Sequence, residues 1–86
     1  QILWLMSNKK NIKIIIKTIE ETLGLKKGSI NEKSKSVNYE NWDSLGIINI
    51  ITALEHELEI KFKIDDYEKF NSVNEINKIL KDHKIK

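Results

Sequence analysis

Ile12, Ile15, Ile16, Ile19 and Leu23 recur at the spacing that an α-helix gathers onto one face. This constrains the fold more than any other feature of the chain. The same periodicity returns in Ile47, Ile50, Ile51, Leu54 and Leu58, again one contiguous arc at about 100° per residue. Breakers are scarce, with no proline and three glycines in 86 residues. That poverty, with many Ile, Leu, Lys and Glu, favours helices over a sandwich. The length allows one small domain, whose core no disulfide can staple because cysteine is absent.

The spacing predicts a first helix from about Asn8 to Leu23, with Gly24 as its stop. Lys10, Lys13, Lys17, Glu20 and Glu21 should cover its wet side, with Ile14 there as an exception. Residues 24–43 show no sustained period and read as a long loop, pinned to the core by Leu25, Ile30, Val37 and Tyr39. Loops this long in compact domains are often functional. A second helix should span Ser44 to Glu59, and Glu59–Ile64 reads as an extended connector or a frayed end. Asp65 or Asp66 could cap a short third helix through about Phe70, with Tyr67 and Phe70 inward. Ser72-Val73-Asn74-Glu75 has the form of a capping box. It opens a fourth helix to about Asp82, with Val73, Ile76 and Leu80 inward and Ile79 at the edge. The expected fold class is therefore all-α, a small four-helix bundle with a long first connection and a short third helix.

Ile2–Met6 is too short an apolar run to span a membrane. It lacks the leading charge and the small-residue cleavage site of a signal peptide. Residues 1–8 are expected to be a disordered or loosely docked tail, an upstream start before Met6 or a strand-like tail being alternatives.

The net charge of +2 hides a segregation. Residues 1–38 carry eight lysines and three glutamates, a net +5. Residues 39–68 carry two lysines and eight acidic residues, a net −6. Residues 69–86 carry five lysines and two acidic residues, a net +3. All fifteen basic residues are lysine. Arginine is the usual choice for bidentate contacts to bases and phosphates, so nucleic acid is not an expected partner. Basic surfaces should instead meet the acidic middle. His56 and His83 lack cysteines or paired carboxylates at ligand spacing, so no metal is expected. Asp65, Asp66 and Glu68 lack the EF-hand pattern. His56 lies twelve residues from Ser44, roughly 18 Å along a helix, and cannot act as its base. With no Gly-rich phosphate loop or nucleophile–base set either, no catalytic residues are assigned.

Trp42-Asp43-Ser44-Leu45 stands where the loop gives way to the second helix. Free N–H groups and the positive end of the helix dipole make that point receptive to a phosphate. A serine hydroxyl there is exposed and could carry a phosphodiester, although a helix cap is the simpler role for a lone serine. Trp42 reads as a core anchor at the loop end. Leu45 and Ile48 lie beside the core arc with Asn49, Thr52, Glu55 and His56, a mixed surface the core does not need and a reasonable docking face.

The order of these features resembles the acyl carrier protein family over roughly residues 9–82. An Ile-rich helix ends in Gly24, a long loop follows, and Asp43-Ser44-Leu45 opens the next helix. Ala53-Leu54-Glu55-His56-Glu57-Leu58 lies inside that helix. A short Asp-led helix and a Ser72-Val73-x-x-Ile76 helix close the chain. The resemblance implies a bundle of acyl-carrier type over residues 9–86 that is not itself an enzyme. It implies 4′-phosphopantetheine, transferred from coenzyme A with magnesium, on Ser44, with Asp43 capping the helix and meeting a phosphopantetheinyl transferase. An acyl or aminoacyl group then rides on the arm's thiol as a thioester, the chain itself having no thiol. Leu45, Ile48, Asn49, Thr52 and Glu55 would meet partner enzymes. Ile50, Ile51, Leu54, Phe62 and Phe70 would line an acyl-chain pocket. A loading ligase or transferase, downstream acyltransferases, a cytoplasmic location, no membrane insertion and a monomer are further expectations.

The chain departs from the common fatty-acid carriers in three ways. It is slightly basic overall, and Asn49 and Gly46 stand where the family has acidic or polar residues. Trp42 looks more like dedicated carriers of specialised pathways. These departures point away from bulk fatty-acid biosynthesis and towards lipid, surface-glycan or metabolite modification. The alternative is a helical module that binds protein or nucleic acid through the lysines of the first helix and the tail.

Overall fold

The structure, a computed structural model, describes the backbone of residues 2–85 and the side chains of residues 10–82. Three α-helices carry it: α1 (Ile2–Leu23), α2 (Ser44–Leu58) and α3 (Val73–Ile85). A 3₁₀ turn at Ser36–Asn38 lies in the long connection, and a 3₁₀ helix at Ile64–Lys69 precedes α3. α1 packs on both α2 and α3, while the 3₁₀ helix bridges α2 and α3. The 22 residues of α1 span roughly 33 Å at 1.5 Å per residue, in a molecule whose longest extent is 37 Å.

α1 begins at Ile2 rather than at about Asn8, so the backbone of the expected tail continues the helix. No glycine or proline stands between Ile2 and Leu23 to stop it. At its other end Gly24 adopts φ +68°. Gly24 N–H donates to the Glu21 carbonyl at 3.4 Å and Leu25 N–H to the Glu20 carbonyl at 2.8 Å. That pair is the Schellman arrangement, which the missing Cβ of glycine makes cheap.

α2 stops in the same way without a glycine. Glu59 sits in the left-handed region at φ 54°, ψ 46°, and Ile60 N–H reaches the Glu55 carbonyl at 3.2 Å. The third helix is corrected from a capped α-helix to a 3₁₀ segment whose N-cap is Lys63, with no side-chain cap. Asp65 is exposed, and Asp66 instead faces Lys69 at 3.7 Å, three residues on. Half of the capping box forms at α3. Ser72 Oγ accepts from Glu75 N–H at 3.1 Å, while the Glu75 carboxylate turns to Lys78 at 3.3 Å.

The core gathers Ile15, Ile19 and Leu23 of α1, Ile50, Ile51 and Leu54 of α2, and Val73, Ile76, Ile79 and Leu80 of α3. Ile79 is thus buried rather than at the edge. Ile14, expected on the wet side, is half-buried against this core, because α1 serves two neighbours and needs a wider apolar arc. Ile30, Trp42, Phe62 and Phe70 close the core from the connections.

The long connection is tied down mainly by polar groups. Val37, expected as an anchor, is 85% exposed, on the 3₁₀ turn. Glu20, expected in solvent, is buried. Its Oε2 accepts from Gly28 N–H at 2.8 Å and Ile30 N–H at 3.1 Å. The loop folds back over α1 there, and its turned N–H groups need an acceptor that only a side chain can supply. Tyr39 Oη donates to the Ser29 carbonyl at 2.8 Å and lies 3.0 Å from Ser34 Oγ. Since the phenol has one proton, Ser34 donates in that pair and accepts from Asn31 N–H at 2.9 Å. The loop's middle is held to the turn before α3 by an isolated antiparallel bridge between Lys35 and Ser72.

Candidate functional site

The start of α2 is fixed from three sides. Trp42 is buried, and its indole N–H donates to the Phe70 carbonyl at 3.0 Å, anchoring the loop end against the end of the 3₁₀ helix. Asp43 is the N-cap, with extended backbone, and its carboxylate accepts from Gly46 N–H at 2.9 Å. Gly46 is buried against the loop. A Cβ built there would fall 3.2 Å from Leu23 Cδ2 and far inside the contact distance of the Asn41 carbonyl oxygen. Only glycine lets α2 start this close to α1 and the loop.

Ser44 is the first residue of α2 and is exposed. Asp43 takes the Gly46 N–H, and Ile47 N–H bonds the Asp43 carbonyl at 2.8 Å. The N–H groups of Ser44 and Leu45 are left without an intrahelical partner, beside the serine hydroxyl. They form the positive end of the helix and suit a phosphate oxygen. The other serines after α1 lie in different settings. Ser34 and Ser72 are buried with their hydroxyls engaged, and Ser29 and Ser36 lie half-buried in turns.

Beside Ser44 the structure exposes Leu45 (67%) and Ile48 (51%), with Asn49 and Thr52 also exposed. Thr52 Oγ1 donates back to the Ile48 carbonyl at 3.0 Å. Glu55 is half-buried, and its Oε2 accepts from Phe62 N–H at 2.9 Å. Its carboxylate therefore folds the connector after α2 as well as facing this side. Ile50, Ile51, Leu54, Phe62 and Phe70 meet in one cluster, each at most 7% exposed. The Phe62 and Phe70 rings pack edge-to-face at 4.9 Å.

The phosphopantetheine attachment site family model matches residues 13–79. The chain belongs to that family. It is a phosphopantetheine-carrying carrier domain, the kind of domain to which 4′-phosphopantetheine is attached covalently and with which phosphopantetheinyl transferases and acyl-handling enzymes interact. No solved structure matches the chain. Among the described residues, no helix is long and apolar enough to cross a membrane.

Sequence reading finds Tyr39 as a loop anchor but misses its polar partners, and it misses Glu20 and Ser34, which also position the loop leading to Ser44. Nothing in their spacing marks these bonds, because the direction of their partners is defined only by the folded loop. Gly46 was noted only as a departure in charge. Its steric reason lies in Asn41 and Leu23, neither of which its neighbours on the helix predict.

Proposed function

We propose that Ser44 carries the 4′-phosphopantetheine of this carrier domain and that the protein presents acyl or aminoacyl groups to partner enzymes without catalysing a reaction itself. The carrying observation is the exposed Ser44 hydroxyl at a helix start whose cap is supplied by its neighbour. Asp43 does the capping, so Ser44 is free to be modified without unmaking α2. The residues fit the group: two N–H donors can face the phosphodiester, and the buried Gly46 and Trp42 fix the direction in which it leaves the surface. When bound, the group supplies a thiol on a flexible arm, on which cargo is held as a thioester.

Asp43 and the acidic residues of segment 39–68 draw basic partner surfaces to Ser44. Leu45 and Ile48 give the apolar part of that contact, with Asn49, Thr52 and Glu55 around it. The pathway we propose is a specialised one, in lipid, surface-glycan or metabolite modification, served from the cytoplasm by a monomer. Its partners are a dedicated loading ligase or transferase and downstream acyltransferases. Asn49 and Gly46 in place of acidic or polar residues, with Trp42 before the motif, support this over bulk fatty-acid synthesis.

The test is intact mass after incubation with coenzyme A, magnesium and a broad-specificity phosphopantetheinyl transferase. One phosphopantetheinyl group should be gained, and Ser44→Ala should gain none while keeping its circular dichroism. Absence of any gain on folded protein with several transferases overturns attachment at Ser44 and favours the lysine-based interaction module. Efficient service in a reconstituted fatty-acid synthase, with no loading by a dedicated ligase, would overturn the specialised assignment alone.

A further inference from the structure

The five residues that the resemblance assigns to an acyl pocket form a closed interior. Open space lies elsewhere, and one such space is a groove of about 640 Å³ between α1 and the loop that follows it. Small-molecule sites commonly occupy roughly 300–1,000 Å³. Ile16, Leu25 and Ile30 give the groove an apolar floor, and Lys13, Lys17 and Lys27 stand at its rim. Lys13 and Lys17 are one helical turn apart on α1, and Lys27 comes from the loop. Two carboxylates also line it. Glu20 is committed to the N–H groups of Gly28 and Ile30, which leaves the exposed Glu21 to oppose the lysines. The rim therefore favours an anion, while the floor favours a hydrocarbon.

The groove also runs to the end of α1 that packs beside the start of α2. Leu23 Cδ2 lies 3.2 Å from the Cβ position of Gly46, two residues after Ser44. Leu25, in the groove wall, is two residues after Leu23, at most about 7.6 Å along the backbone. We propose that this groove receives the distal end of the cargo, and that this end is an aliphatic chain terminating in a carboxylate. The proposal rests on attachment at Ser44 and names the class of cargo that attachment presents.

The test loads Ser44 from octanoyl- and octanedioyl-coenzyme A and follows backbone amide shifts by NMR, with loading checked by intact mass. The octanedioyl form should shift Gly28 and Ile30, whose N–H groups edge the groove, more than the octanoyl form does. It should leave Phe62 and Phe70 unmoved. In Lys13→Glu/Lys17→Glu, which reverses two exposed rim charges, the difference between the two cargoes should be lost. Shifts centred on Phe62 and Phe70, equal response to both cargoes, or no shift on loaded protein would overturn the proposal. A second arm titrates the free octanedioyl thioester of N-acetylcysteamine into the unloaded chain. Failure to gain mass, with this ligand still shifting Gly28 and Ile30, rejects attachment at Ser44 and upholds the groove. Failure to gain mass with no such shift overturns both.

Discussion

At single residues, the structure separates side chains that hold the start and stop of α2 from the exposed Ser44 between them. Asp43 holds the start through one hydrogen bond to Gly46 N–H. Asp43→Ala should cost about 1 kcal/mol, the usual loss for an N-cap, seen as a lower urea midpoint with an unchanged slope. Gly46→Ala should cost more, about 1–3 kcal/mol for forcing a methyl into a filled site, because the Asn41 carbonyl and Leu23 stand against it. Glu59 holds the stop in a left-handed conformation that carries a penalty of roughly 1–2 kcal/mol for residues with a Cβ, at φ 54°. Glu59→Gly should therefore raise stability by about 0.5–1 kcal/mol after the entropy that glycine adds to the unfolded chain. A melting point that falls instead would show that the Glu59 side chain contributes more than its backbone costs.

Among the elements, the helices were legible in the sequence and the connections only in part. Periodic isoleucines placed α1 and α2, and Ser72 with Glu75 placed the start of α3, since apolar spacing and caps act within one helix. The loop obeys longer-range rules. Its anchors are Glu20, eight and ten residues from the two N–H groups it receives, and Tyr39, ten residues from Ser29. A carboxylate on the apparent wet side of a helix gives no sign of this until the loop is folded over it. Val37 looked like an anchor because it is apolar, yet the 3₁₀ turn turns it out. Glu20→Ala should leave the buried Ile30 N–H without its acceptor and the exposed Gly28 N–H to water, costing about 1–3 kcal/mol for the buried unpaired group. Hydrogen exchange should locate that loss at Gly28 and Ile30, with α3 protected until global unfolding. Uniform loss of protection across all three helices would show the loop to be part of the main cooperative unit.

Across the whole molecule, charge alternates in three blocks of sequence, with the acidic stretch of 39–68 containing α2 and the lysines concentrated before and after it. Attraction of a basic partner to Ser44 should weaken with salt. Raising ionic strength from about 0.1 M to about 1 M shortens the screening length from about 10 Å to about 3 Å. The association rate with a phosphopantetheinyl transferase should fall accordingly, while dissociation changes little. A salt-independent rate would place the recognition in Leu45 and Ile48 alone. The carrier family was readable because its order of features runs nearly the whole chain. The packing at the start of α2 was not, because Gly46 answers to Asn41 and to Leu23, in the loop before α2 and at the end of α1. That contact bars charge from the first turn of α2. A side chain at position 46 cannot be seated without prising α2 away from the loop, so any acidic residue placed there would have to be preceded by a shift in the backbone at Asn41.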